Sequence, residues 1–147
     1  MDTTMQQRSI LFAEDYPGIA KVYCEYFRQE EYDVTLASDG REALEILLAR
    51  PESFAILRTD YNMPQMDGLE LLQRLRKDHL DVLRHLRVVV KSSLLDKKIL
   101  DECRIQHDVG VTIHCLNSEN EMLFWNALIH GDDRWQEFVE PLQARSA

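Results

Sequence analysis

The chain has 147 residues, 45% hydrophobic and 29% charged, with 26 acidic against 17 basic side chains for a formal charge of -9. This length suits one compact domain with a real core and is too short for two ordinary ones. The negative balance argues against non-specific adhesion to nucleic acid or anionic membrane, and no apolar run approaches the ~20 residues of a membrane span.

Met1 to Ser9 is polar, without the apolar core of a secretion signal, and residues 1–8 read as a flexible N-terminus. Ser9 to Ala13 (SILFA) is a short apolar run that stops at Glu14-Asp15, the pattern of a buried strand opening onto an acidic loop. Pro17 suits a first helical turn, after which Ile19, Val22, Tyr23, Tyr26 and Phe27 recur at helical spacing. Asp33 to Ala37 (DVTLA) predicts a second strand, Ser38-Asp39-Gly40 a turn and cap, and Ala43, Leu44, Leu47 and Leu48 a second helical stripe. Phe54 to Thr59 (FAILRT) is the third strand, ending at Asp60. The loop Tyr61 to Asp67 contains Pro64, and Gly68 leads into a helix carrying Leu69, Leu71, Leu72 and Leu75. Leu86 to Val90 predicts the fourth strand, and Ile99, Leu100, Cys103 and Ile105 the core side of a fourth helix. Val109 to Ile113 then predicts the fifth strand and Glu121 to Ile129 the fifth helix. In a C-terminal extension, residues 131–147, Trp135, Phe138, Val139 and Leu142 stand at helical spacing. A short amphipathic helix there packs either on its own domain or on a second subunit, the former being the simpler arrangement.

Residues 9–130 therefore read as one α/β domain of five strands alternating with five helices. Such alternation implies a parallel sheet covered on both faces. Right-handed crossovers make it a flavodoxin-like doubly wound five-stranded sheet, strand order 2-1-3-4-5, whose ligands sit at the carboxyl ends of the strands. Cys24, Cys103 and Cys115 are odd in number and lack CxxC spacing, which predicts reduced thiols and a cytoplasmic location.

Three carboxylates, Glu14, Asp15 and Asp60, fall where the neighbouring first and third strands end. Clustered carboxylates repel when desolvated, and a hard divalent cation relieves the repulsion; Mg²⁺, or Mn²⁺, prefers a few carboxylates with water and phosphate oxygens. The plainer reading is of three solvated loop acids.

The segment Asp60-Tyr61-Asn62-Met63-Pro64-Gln65-Met66-Asp67-Gly68 resembles the signature after the third strand of response-regulator receiver domains, the chemotaxis-regulator-like modules of two-component signalling. Leu11-Phe12-Ala13-Glu14-Asp15-Tyr16-Pro17 resembles their acidic opening motif, and the likeness covers roughly residues 8 to 130. The resemblance implies that Asp60 is the phosphoacceptor, taking a phosphoryl group from a histidine kinase or phosphotransfer protein. It implies Mg²⁺ held by Asp15, Asp60 and the backbone carbonyl of Asn62, with Glu14 acting through water. Glu14 stands where the family more often has Asp. The switch hydroxyl falls on Ser92, whose simpler role is to cap the helix starting near Leu95.

The pattern breaks at the fifth strand. Receivers carry Lys-Pro just after it; here the match is His114-Cys115, and no lysine follows Lys98. His114 is either an altered switch or drift at a position no longer used, and nearby carboxylates would favour its protonated form. Without proline, a cis peptide costs about 2.5–4 kcal/mol, so a trans His114-Cys115 bond is expected. Arg58 and Lys91 are charges inside apolar strands. Arg58 shares a face with Asp60, where it pairs with the acids and competes with Mg²⁺, or else snorkels to the edge, the preferred reading.

The function implied is a stand-alone response regulator, since 147 residues leave no room for an output domain. It signals through protein contacts, to a downstream partner or a second copy, on the face of the fourth helix, fifth strand and fifth helix. It has no enzymatic activity beyond self-phosphorylation and slow self-dephosphorylation, and neither nucleic acid nor membrane insertion is involved. The alternative is a pseudo-receiver, an interaction module that works without phosphate. A flavin site is excluded by the acidic loop after the first strand, and a haloacid-dehalogenase-type phosphatase by Asn62 in place of a second Asp.

Overall fold

A computed structural model describes residues 8–107 and 110–142. Its strands are β1 (Ser9–Ala13), β2 (Asp33–Ala37), β3 (Ile56–Asp60), β4 (Arg87–Ser92) and β5 (Thr112–Asn117), all parallel in the order β2-β1-β3-β4-β5. They alternate with α1 (Pro17–Gln29), α2 (Gly40–Ala49), α3 (Gly68–Asp78), α4 (Leu80–His85), α5 (Lys97–Gln106) and α6 (Glu121–Ile129). This is the flavodoxin-like doubly wound sheet, with the short α4 added where α3 breaks at His79. Among the described residues no helix is long and apolar enough to cross a membrane.

Both sheet faces are covered, which is why β1 is buried at every residue and reads as a continuous apolar run. One face packs Leu11, Leu57, Val88, Val90 and Ile113 under α2 to α5. The other packs Ile10, Phe12, Val89 and Leu116 against Phe27 of α1 and Phe124 and Trp125 of α6. Helix starts are set by carboxylate caps: Asp39 accepts from Glu42 N, Asp67 from Glu70 N, and Asp96 from Ile99 N at 2.8 to 2.9 Å. Asp96, not Ser92, therefore caps α5. Within the helices the inward faces are narrower than the apolar stripes: Val22, Leu48 and Ile105 are exposed.

Two expectations about the C-terminal third need correction. The fifth strand begins at Thr112 rather than Val109, so His114 and Cys115 lie inside it and not just beyond it. Gly110 has φ +84°, outside the extended region, so continuous pairing starts only after it; Val109 itself lies outside the described residues. The described part of the extension, residues 131–142, forms a 3₁₀ segment, Asp133–Phe138, followed by extended chain, and not an α-helix. Pro141 disfavours helical φ/ψ at Glu140, and Glu140 N instead donates to Cys115 O at 2.8 Å. Trp135, Phe138 and Val139 pack on the α1/α6 core, Leu142 is buried on the opposite side, and Arg104 of α5 donates to Leu142 O at 3.3 Å. Residues 132–142 thus pack on their own domain and cover the open edge of β5. The expected flexible N-terminus, apart from Arg8, lies outside the described residues.

Candidate functional site

The register Ala13↔Thr59 brings the continuation of β1, Glu14-Asp15, beside Asp60 at the end of β3. Each of Glu14, Asp15 and Asp60 offers a carboxylate oxygen, and these oxygens lie within 4.8 Å of one another. Hard oxygen donors at this spacing fit a small divalent cation. Asp15 is exposed and Asp60 partly so, whereas Glu14 is buried.

Strand alternation puts Phe12, Arg58, Asp60 and Lys91 on one face of the sheet, with Glu14 beside them. The consequence is a buried chain of ion pairs. Arg58 is wholly buried over the Phe12 ring, 4.1 Å from its centroid. Its Nε and Nη2 donate to Glu121 at 2.8 Å, its Nη1 to Ala13 O at 2.9 Å, and its Nη2 also to Glu14 Oε1 at 3.1 Å. Trp125 Nε1 completes the shell of Glu121 at 3.0 Å. Arg58 therefore does not snorkel; Glu121 reaches down from α6 to hold it. Lys91 Nζ stands 3.5 Å from Glu14 Oε1 and 3.6 Å from Asp60 Oδ2. The second oxygen of Glu14 accepts from Tyr16 N at 3.2 Å. The acids are thus met by two protein cations, and the nest does not depend on metal alone for its neutralisation. Glu121 and the role of Lys91 escape the sequence reading, because an acid opening an apolar helix looks like a first-turn residue and a lysine in a strand only like a misplaced charge.

These surroundings separate the two carboxyls. Burial works to raise Glu14, but the charges of Arg58 and Lys91 and the hydrogen bond from Tyr16 prevail and hold it below its usual range. Asp60 is pushed up to about 6, by burial first and then by the Glu14 charge, against the pull of Lys91 and Arg58. A divalent cation among the three would favour the ionised form of Asp60.

The loop after Asp60 folds back on itself. Tyr61 N donates to Lys91 O at 2.8 Å and Gly68 N to Tyr61 O at 2.9 Å. A Cβ on Gly68 would stand 2.4 Å from Asp60 O, so only glycine lets α3 start this close to the acid. Asn62 is exposed in the loop and Met66 is buried. Ser92, at the end of β4, is buried, and its Oγ is 3.1 Å from Leu94 O and 3.3 Å from Leu94 N, a local turn that fixes the start of the next loop.

His114 is not part of this pocket. The registers Asp60↔Lys91 and Lys91↔Leu116 put Leu116 level with Asp60, and Asn117 opposite Ser92. His114 lies two residues lower, in T-shaped contact with Trp135 at 5.1 Å and tilted against Phe124 at 6.1 Å. Burial, then the charges of Arg87 and His107, lower it to about 4, so it is neutral near pH 7, the reverse of the carboxylate-favoured protonation expected. Cys115 is wholly buried; it, Cys103 and Cys24 are free thiols. No described peptide bond is cis, His114-Cys115 included.

Sheet order, helices on both faces and an acidic pocket at the carboxyl ends of two central strands define a receiver module of the flavodoxin-like class. The chain belongs to the response regulator receiver domain family of two-component signalling, whose profile matches residues 10–110. It is 38% identical over 69 residues to the peroxide stress-activated histidine kinase mak3 of Schizosaccharomyces pombe, a match covering 46% of this chain and 3% of that protein. It is 26% identical over 110 residues to sporulation initiation phosphotransferase F of Bacillus subtilis, covering 75% of this chain and 82% of that one. Chemotaxis protein CheY4 of Vibrio cholerae superposes with TM-score 0.67 at 22% identity, over 82% of this chain and 95% of that one, and shows the fold. The chain spans only a small part of mak3 and 11% of the rice two-component response regulator ORR26, which it also matches.

Proposed function

We propose that Asp60 accepts a phosphoryl group from a histidine kinase or phosphotransfer protein, and that the phosphorylated domain signals through protein contacts. The observation that carries this reading is the convergence of Glu14, Asp15 and Asp60 within 4.8 Å at the carboxyl ends of β1 and β3, in a chain of the receiver family. An Asp60 oxygen forms a bond to phosphorus while the bond from phosphorus to the donor nitrogen breaks, the electron pair leaving with the imidazole. Positioning and charge neutralisation make up most of such catalysis. Asp15, Asp60 and the carbonyl of Asn62 would hold Mg²⁺ or Mn²⁺, and Glu14, whose oxygens already accept from Arg58 and Tyr16 N and pair with Lys91 at 3.5 Å, would act through water. When bound, the ion spreads the charge of the phosphoryl oxygens. Ser92 would donate its hydroxyl to one of those oxygens and so convey the change to the loop before α5. Output through the face of α5, β5 and α6, to a partner or a second copy, must include or displace residues 132–142.

One observation favours a second reading, the phosphate-independent pseudo-receiver: Arg58 and Lys91 neutralise the acids from within. Incubation with Mg²⁺ and labelled acetyl phosphate separates the two. Wild type takes up one label that Asp60→Asn lacks; a wild type that stays unlabelled and shows no shift with beryllofluoride is the pseudo-receiver.

A further inference from the structure

We propose that Lys91 is the cation that binds the phosphoryl oxygens on Asp60, exchanging its contact with Glu14 for them. The inference rests on Asp60 being the acceptor and adds the residue that stabilises the transferred group. Lys91 is placed by the backbone: it is the register partner of Asp60, and its carbonyl accepts from Tyr61 N at 2.8 Å, so acid and ammonium belong to one rigid strand pair.

Among the described residues two cations pair with the cluster, and Arg58 is committed elsewhere. Its guanidinium is wholly buried and bonded to Glu121, Ala13 O and Glu14 at 2.8 to 3.1 Å. Moving it would take from Glu121 its charged partner and from the Ala13 carbonyl a donor. Lys91 is bound differently, split between two carboxylates at 3.5 and 3.6 Å. Tight charge-assisted hydrogen bonds are shorter, about 2.7–2.9 Å, so the ammonium gives up no close bond when it advances on a new anion. β5 offers no competitor at this level: Leu116 lies opposite Lys91 and Asn117 opposite Ser92, while His114 is packed against Trp135 below.

A phosphoryl group brings roughly two negative charges to a site that already holds Glu14 and Asp15. The flexible four-carbon stem of Lys91 lets its ammonium follow that charge, and Glu14 remains paired with Arg58 when it leaves. In the transfer the Asp60 oxygen–phosphorus bond forms, the bond from phosphorus to the leaving oxygen of acetyl phosphate breaks, and acetate departs with the electron pair. In the unmodified domain the same ammonium occupies the acids in competition with a divalent ion.

The test uses the full chain as wild type, Lys91→Met, Lys91→Arg and Asp60→Asn, each checked by far-ultraviolet circular dichroism. Two quantities are read: the maximal rate of labelling by acetyl phosphate with Mg²⁺, and the affinity for Mn²⁺ alone by water-proton relaxation. Lys91→Met should label about tenfold or more slowly at saturating donor yet bind Mn²⁺ several-fold more tightly, and Lys91→Arg should recover part of the labelling. A residue that only supported the fold would lose both together. Equal labelling of wild type and Lys91→Met, or loss of labelling together with Mn²⁺ binding, overturns the role of Lys91 and leaves Asp60 standing. A wild type that takes no label overturns both.

Discussion

The two ends of this sheet's central surface handle polarity in opposite ways. At the carboxyl ends of β1, β3 and β4, five ionisable side chains (Glu14, Arg58, Asp60, Lys91 and Glu121) form a continuous chain of ion pairs with little or no solvent on its inner members. At the edge of β5 a single imidazole sits neutral among aromatic rings under the C-terminal extension. Charge is retained in the interior where opposite charges meet at hydrogen-bonding distance, and is discharged where only rings and cations surround the group.

The largest effect is expected at Glu121. Glu121→Ala leaves Arg58 buried with Glu14 as its remaining hydrogen-bonded acid among the described residues and removes the acceptor of Trp125 Nε1. Losing one partner of such a pair costs about 3–5 kcal/mol, to be read as a lowered denaturation midpoint in urea at unchanged slope; a loss under 1 kcal/mol would mean that the pair is not desolvated.

The β5 edge should answer to pH. His114 is lowered to about 4 in the folded chain and titrates near 6.5 when unfolded, so the unfolded chain takes up the proton first as pH falls. Stability from this group is full above about pH 7 and is lost on acidification through 6.5 towards 4, by roughly 2–3 kcal/mol. His114→Phe keeps the ring contacts and removes the proton site. Subtracting its pH profile from that of wild type isolates the effect from Asp60, whose raised value acts in the opposite sense over the same range; parallel profiles between pH 7.5 and 4.5 would refute it.

The smallest effect belongs to the extension. Trp135 is half-buried against His114, Phe124 and Arg87. Trp135→Ala should cost about 1–2 kcal/mol, below the 3–5 of a fully buried aromatic, and should speed hydrogen exchange at Glu140 N, whose bond to Cys115 O holds the strap on the edge. Unchanged exchange there would show that the strap is anchored without the ring.

The alternation of strands and helices, the order of the sheet, and the gathering of Glu14, Asp15 and Asp60 were legible in the order of the residues. Each follows from local features: apolar runs of strand length, cap residues before helical stripes, and acids where buried strands stop. What surrounds those acids came only with the tertiary structure. Arg58 and Glu121 are 63 residues apart, and nothing local to either says that α6 will lay its first turn over β3. The position of β5 was likewise settled by pairing with β4, because VGVTIHCLN offers several apolar starts and the register is chosen by the neighbouring strand. That choice moved His114 away from the acids and left Lys91, one strand over, facing them. Periodicity along a chain reports which residues are buried; which charge meets which is a property of elements brought together across the fold.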